Sequence, residues 1–241
     1  MSSNREVLDI CVITYNRLAY LKNCVWSILA STKVEYRLFV IDDGSSDGTE
    51  DWLKYMKENN KINDYFINSP NLGSPATCNR AMEVTSSSVV AMISDDIWVH
   101  RGWDTRSIEL YRKNKDCGMV SFWNFPIQRF KNRSTKKVTN GYKHQSIGVA
   151  ALLLDRQLFN SVGGYELPKG LKMGYFSAIF CKKALSSKVF RKNQYLLDPY
   201  YAEQMDRNNP GETHLPPPKL NQEWLYEDYN KRRNIEKHKH K

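Results

Sequence analysis

The sequence predicts an α/β domain: a mostly parallel, Rossmann-like sheet flanked by helices, with a short C-terminal extension. Three observations carry this. Short apolar runs of strand length alternate with segments of helical periodicity through the first half of the chain. The connections between them are short, which in such units gives right-handed crossovers and helices on both faces of the sheet. Each of the first four strand patterns ends in polar residues, and ligands of open α/β sheets sit beyond the carboxyl ends of the strands.

The elements follow in order. "LDICVIT" from Leu8 reads as a short buried strand, and "AYLKNCVWSILAS" as a helix with Leu21, Cys24, Val25, Ile28 and Leu29 at helical spacing. "YRLFVI" is a second buried strand. "GTEDWLKYMKENN" is a second helix, with Thr49 as its expected cap and Trp52, Leu53 and Met56 on one face. "DYFINSP" is a third strand, and "SPATCNRAMEVT" a third helix with Pro75 suited to its first turn. "SVVAMIS" is a fourth strand; "MVSFWNF" and "VAALLLD" are two more.

Composition bounds the class. The 241 residues are 41% hydrophobic and 12% aromatic, which is enough for a real core and excludes a disordered chain. Five scattered cysteines without CxxC spacing argue for reduced thiols, against a disulfide scaffold and against a zinc site. The N-terminus does not read as a signal peptide, and no apolar run approaches the roughly 20 residues of a membrane span. The expected location is therefore cytoplasmic, with peripheral contact to a membrane left open.

The strand ends hold the chemistry. Thr14, Tyr15, Asn16 and Arg17 follow the first strand; Asp42, Asp43, Gly44, Ser45 and Ser46 follow the second. Asn71, Leu72 and Gly73 come after the third, and Ser94, Asp95 and Asp96 after the fourth. Paired carboxylates on such a rim can hold a divalent cation, accept hydrogen bonds from a nucleoside, or act as acid and base. A single carboxylate capping a helix would contribute about 1 kcal/mol, and capping needs only one group. No GxGxxG or GxxxxGK[ST] loop is present, so the usual dinucleotide and P-loop readings fail. His100 and His144 read as surface residues rather than ligands, and Trp98, Trp103 and Trp123 as packing groups.

"VITYNRLAYLKNCVWSIL", "VIDDGSSDGT", "NLGSPATCNRAM" and "ISDDIWVHRGW" resemble, in order and spacing, the successive blocks of family 2 inverting glycosyltransferases with the GT-A fold. DDGSxDGT is fairly specific; the other blocks are weak alone and strong together. The resemblance spans about residues 8–105 and weakens from Asp116 to about Asp206. It implies a nucleotide-diphosphate sugar as donor, Mn²⁺ or Mg²⁺ as metal, and inversion at the anomeric carbon. It implies that Thr14, Asn16 and Arg17 line the nucleotide cleft and that Asp43, with Asp42 beside it, contacts the nucleobase. Arg80 then lies near the donor diphosphate, Asp95 near the ribose or sugar, and Asp96 on the metal.

Two departures stand out. The family follows a Gly-Gly-aromatic segment with a Glu-Asp pair, one member of which is the base that deprotonates the acceptor. Here "VGGYELPKGLKMGYFSAIFCKKAL" has the first element, but no carboxylate occurs between Leu167 and Leu197. Glu166 and Asp206 are the weak remaining candidates, with Asp155, Asp198 and Glu203 also in this region. A late histidine is a further metal contact in the family; Gln204 falls near that position, and His214 is a weak candidate ten residues on.

The formal net charge is +10. Gln128 to Gln145 carries six Lys/Arg and no acid, and the last eleven residues carry six Lys/Arg and one Glu. Both read first as a solvated loop and a tail. Their functional reading is an anionic acceptor: a lipid-linked glycan at a membrane surface, where each basic residue adds about 1 kcal/mol, or a hydroxylated base of viral DNA, where phosphate contacts make binding fall with salt. The alternative from another class is a nucleotide-sugar-binding protein with weak or no transfer activity, since the expected base is missing. The domain is expected over residues 1–210. Residues 211–241 form a proline-rich connection ("HLPPPKL") and a basic helix or tail.

Overall fold

The computed structural model describes residues 7–123, 136–144, 147, 150–169, 175–197 and 201–205. The first half contains β1 (Leu8–Thr14), α1 (Leu18–Ser31), β2 (Tyr36–Asp42), α2 (Thr49–Glu58), β3 (Asp64–Ile67), α3 (Ser74–Glu83) and β4 (Val89–Ser94). Then come β5 (Ile97–Val99), α4 (Trp103–Lys113), β6 (Cys117–Ser121), β7 (Lys136–Val138), β8 (Gly141–His144) and β9 (Ala151–Asp155). The described chain ends with α5 (Arg156–Val162), α6 (Tyr175–Ser186), β10 (Asn193–Leu197) and β11 (Ala202–Gln204).

Nine strands form one sheet in the order β3-β2-β1-β4-β9-β6-β10-β8-β7, and β11 pairs with β5 in a separate ribbon. β1 is parallel to β2 and β4, β2 to β3, and β6 to β10. β9 runs antiparallel to both β4 and β6, and β8 to both β10 and β7. All strands of the large sheet but β9 and β8 therefore share one direction, and the expected mostly parallel sheet is what forms.

The first strands are buried on both faces, which is why they read as continuous apolar runs. Successive side chains still point to opposite faces. Ile10 and Val12, Leu38 and Val40, and Ala91 and Ile93 join Leu21, Val25 and Ile28 of α1, Leu53 and Met56 of α2, and Trp103 of α4. Cys11, Ile41, Val90 and Met92 join Cys78, Ala81 and Met82 of α3, Leu158 of α5, and Phe180 of α6 on the other face. The result is three layers, helix on sheet on helix. All five cysteines are buried and unpaired with one another.

Some expectations change. Thr49 is the first helical residue of α2 rather than its cap; Gly48 precedes it at φ +87°, and Asp47 Oδ1 accepts from the Thr49 N–H and hydroxyl. His100 and His144 are buried, not surface residues. Residues 136–144 of the basic run form the β7–β8 hairpin at the sheet edge, not an irregular loop. Lys136 and Lys137 are exposed there, and charged side chains deter a further strand from pairing. The proline-rich connection, the basic C-terminal segment and the remainder of the basic run lie outside the described residues.

At the amino end of β1, away from the strand ends of interest, Asp9 is fully buried. Its carboxylate accepts from Arg37 Nε and Nη2 at 2.7 and 2.9 Å and from the Ser86 and Ser87 N–H groups at 2.8 and 2.9 Å. It ties β1 to β2 and to the turn before β4. Burial alone would raise the carboxyl; the Arg37 guanidinium and the two backbone donors outweigh it and hold Asp9 below its ordinary value of 3.8. A carboxylate with a lowered folded-state pKa stabilises the fold above its unfolded value, and that contribution is lost as pH falls through the folded value. Asp9→Asn is expected to cost about 1–3 kcal/mol at pH 7, because a neutral amide cannot accept from all four donors that the buried carboxylate serves. In denaturant titrations at pH 7 and at pH 3, the gap between wild type and variant should narrow at the lower pH.

Candidate functional site

Chain order reverses at β1: β2 and β3 lie to one side and β4 to the other. Loops leaving β1 and β4 therefore part from each other and open a crevice at the carboxyl edge of the sheet. The parallel registers set Thr14 beside Asp42 and Ile13 beside Ser94, so the three strands end level. A cavity of about 360 Å³ lies at this edge. Its wall holds Thr14, Tyr15 and Arg17 after β1, Asp43 after β2, and Ser94, Asp95 and Asp96 after β4. Ser74 and Thr77 of α3, Ala150, Ile13 and Gln204 of β11 complete the wall.

The loops after β1 and β2 are locked together. The Asn16 N–H donates to Ser45 Oγ at 2.7 Å, and the Ser46 N–H donates to Asn16 Oδ1 at 2.8 Å. Asp47 Oδ2 accepts from the Leu18 N–H at 2.8 Å, so a carboxylate from the second loop serves the N-terminus of α1. Asn16 itself takes φ 51° and is a staple between the loops rather than part of the cavity wall. Asp42 is likewise off the wall: its buried carboxylate accepts from the Ser45 N–H and hydroxyl. Burial raises the Asp42 pKa, with the Ser45 bonds opposing.

Asp43 is on the wall and makes three bonds there. Oδ1 accepts from Asn68 Nδ2 and the Leu72 N–H, both at 2.9 Å, and Oδ2 from the Gly73 N–H at 2.8 Å. Gly73 immediately precedes α3, so the acid also holds the start of that helix. Arg80 is set back from the wall: its Nη1 donates to Asn68 Oδ1 at 2.9 Å, one bond removed from Asp43.

Asp95 and Asp96 are 4% and 6% exposed and share the cavity. Thr14 Oγ1 donates to Asp95 Oδ2 at 2.8 Å. Arg17 Nη1 reaches Asp95 Oδ1 at 3.5 Å and Asp96 Oδ2 at 3.1 Å. Burial first, and then the neighbouring Asp96 charge, push the Asp95 pKa up to about 7, against the Thr14 and Arg17 hydrogen bonds. Gln204 Nε2 donates to Asp96 Oδ2 at 2.9 Å, and the Met205 N–H to the Asp96 carbonyl at 2.7 Å. The β5–β11 ribbon delivers this contact, with Gln204 in register with Ile97.

Two buried carboxylates with an amide beside them form an oxygen-rich set suited to Mg²⁺ or Mn²⁺, ions bound through one or two carboxylates together with phosphate oxygens. Among the described residues no group of three or more His, Cys, Asp or Glu could hold a metal unaided. The remaining candidates are not brought in. Glu166 is exposed and pairs with Lys183 at 2.6 Å, so it is no part of the cavity. Asp206 and His214 lie outside the described residues. Sequence reading overlooked Ser74, Thr77, Asn68 and Asn79; the last holds the Gly-Gly-Tyr turn through reciprocal bonds to the Tyr165 N–H and carbonyl at 2.7 and 2.9 Å. Asn68 was legible as the polar residue ending the third strand.

The family model described as "Glycosyl transferase family 2" matches residues 9–190. The chain belongs to glycosyl transferase family 2. Among curated relatives, AglE of Haloferax volcanii is 24% identical over 110 residues, covering 45% of this chain and 36% of that protein. A putative teichuronic acid biosynthesis glycosyltransferase of Bacillus subtilis, TuaG, is 29% identical over 100 residues, covering 41% and 39%. This family 2 chain thus spans well under half the length of these curated relatives. Among solved structures, the mannosyltransferase PcManGT from Pyrobaculum calidifontis, in complex with GDP-Man and Mn²⁺, matches at TM-score 0.65 and 14% identity, over 84% of this chain and 57% of that one. S. aureus TarS 1-349 matches at TM-score 0.61 and 15% identity, over 82% and 60%. At these identities the likeness is one of fold, the GT-A fold of glycosyltransferases.

Gly44 tests the loop lock. It takes φ +82°, and a Cβ there would lie 2.8 Å from the Asn68 carbonyl oxygen. Gly44→Ala is expected to cost about 1–3 kcal/mol in stability, measured by chemical denaturation, through backbone strain and the clash. Because the clash falls on the residue that donates to Asp43, a surviving variant should also bind nucleotide more weakly in calorimetry.

Proposed function

We propose that this family 2 domain transfers a sugar from a nucleotide-diphosphate sugar to an acceptor hydroxyl, with a divalent metal and with inversion at the sugar. The observation that carries the reading is one cavity joining Asp43, at the end of β2, to the buried Asp95–Asp96 pair at the end of β4. A carboxylate has about four acceptor positions; three at Asp43 are taken, which leaves capacity for an N–H or O–H of a nucleoside. Asp95 and Asp96 would hold the metal. When bound, it neutralises charge developing on the departing diphosphate. Thr14 keeps Asp95 oriented through its hydroxyl, and Gln204 keeps Asp96 oriented through its amide. Tyr15, half exposed on the same wall, is an aromatic side chain available to the nucleoside.

Asp43, Asp95 and Asp96 are the acids of the cavity wall, and this reading commits all three to the donor and its metal. The base that activates the acceptor is left unassigned, with Asp206 still a candidate from sequence. For the acceptor we favour a glycan or lipid-linked saccharide that carries negative charge. The +10 net charge supports this, as does the likeness to TuaG, whose name concerns teichuronic acid.

The reading is tested by thermal shift with nucleoside diphosphates and nucleotide sugars, with and without Mn²⁺. A ligand at 100 times its Kd should add about 2.7 kcal/mol of stability. Each kcal/mol moves the midpoint of a domain of this size by about 2–4 °C. One nucleotide should stabilise the wild type in a Mn²⁺-dependent way, and Asp96→Asn should lose the Mn²⁺-dependent part. An Asp96→Asn protein that keeps it contradicts the metal assignment. Metal-dependent nucleotide binding without transfer to any saccharide, alongside salt-sensitive DNA binding, would move the acceptor to DNA.

A further inference from the structure

We propose that Arg17 is a resident counter-ion for the Asp95–Asp96 pair which a divalent cation must displace, so that metal and nucleotide diphosphate enter the site together. This rests on the reading of the cavity as a metal and nucleotide site and adds a coupling between the two ligands to it.

The geometry is specific. Arg17 Nη1 lies 3.1 Å from Asp96 Oδ2 and 3.5 Å from Asp95 Oδ1, so one guanidinium bridges both carboxylates. Its carbon also lies 5.5 Å from the ring centroid of Tyr20, one turn into α1, which supports the cation from the side. The guanidinium is thus held by an aromatic ring and by two acids. Both acids are buried, so salt in solution screens this pairing little.

Asp96 Oδ2 is the point of conflict. It already accepts from Arg17 and from Gln204 Nε2 at 2.9 Å. A divalent ion on the same carboxylate, bonded at about 2.1 Å, would stand against the guanidinium. Two cations on one buried carboxylate edge repel each other. Gln204 is neutral and can rotate, whereas Arg17 carries a full charge that has to be moved or compensated.

Arg17 has somewhere to go. It lines the same cavity and rises from the residue just before α1, on a side chain with several rotatable bonds. Guanidinium groups form forked hydrogen bonds with phosphate oxygens. A nucleotide diphosphate entering the cavity gives Arg17 a new partner and frees the carboxylates for the metal. Metal alone must displace Arg17 with no compensating anion. The nucleotide therefore raises metal affinity, and by linkage the metal raises nucleotide affinity by the same factor.

The test is Mn²⁺ binding followed by the EPR signal of the free ion. The full chain is compared as wild type, Arg17→Ala and Arg17→Lys, first with Mn²⁺ alone and then with UDP or GDP added. Arg17→Ala should bind Mn²⁺ alone about tenfold more tightly than wild type, within the usual range of such couplings. The enhancement by nucleotide should shrink by a similar factor. Arg17→Lys, which keeps the charge but not the fork, should fall between the two and serves as the variant of record if the alanine protein does not fold. A structural role alone would weaken Mn²⁺ binding in the variants. Equal or weaker binding of Mn²⁺ alone by Arg17→Ala and Arg17→Lys overturns the proposal while leaving the metal site standing. A wild type that takes no Mn²⁺ with or without either nucleotide overturns the metal reading and this proposal with it.

Discussion

Asp43 joins the ends of three strands and the start of a helix. Its N–H donates to the Thr14 carbonyl at the end of β1, and its carbonyl accepts from Asn71 Nδ2. Its carboxylate takes Asn68, at the end of β3, and the two N–H groups that lead into α3. The Gly73 N–H is shared with Asn71 Oδ1 at 3.1 Å, so the carboxylate gathers the backbone that leads into α3 onto the cavity wall. The same residue therefore shapes the cavity and presents an acid to whatever fills it. A substitution here would disturb both.

Across the cavity the constraint is electrostatic. Asp95 and Asp96 are adjacent, buried and aimed at one space, an arrangement that disfavours two negative charges unless cations or donors are near. Thr14, Arg17 and Gln204 supply such partners from β1, the loop before α1, and β11. Gln204 reaches Asp96 only because β11 pairs with β5, the short strand that begins directly after the acid pair. The Trp103–Phe122 contact, with ring centroids 4.8 Å apart, lies in the core beneath this ribbon, where the tryptophan was expected to pack.

Much of this was legible in the residues. The strands β1 to β4 and helices α1 to α3 announce themselves by periodicity, and the polar residues at the strand ends mark the edge of the sheet where the cavity lies. What failed was pairing at a distance. β5 and β11 are three residues each, too short for a period, and they exist because they hydrogen-bond across about a hundred positions of sequence. The β7–β8 hairpin was hidden by its charge, although Asn140 at φ 65°, followed by Gly141, is a hairpin turn signal that could have been read. In the site, Asp95, Asp96 and Asp43 were found because carboxylates at strand ends are conspicuous. Asn16 and Asp42 came with two of the resembling blocks but turned into the loops, since a motif cannot say which of its polar groups spends itself on its own backbone. Arg80 was displaced for a similar reason, through its bond to Asn68.

The central claim is that the Asp95–Asp96 pair holds a divalent cation against a nucleotide diphosphate whose nucleoside lies toward Asp43. The most direct measurement is anomalous X-ray scattering at the manganese edge from crystals grown with Mn²⁺ and the nucleoside diphosphate that best stabilises the protein. The account predicts one strong peak about 2.1 Å from an Asp96 carboxylate oxygen, continuous with diphosphate density that leads along the cavity to Asp43. A manganese peak elsewhere in the molecule, or nucleotide density in this cavity with no metal at Asp96, would contradict it.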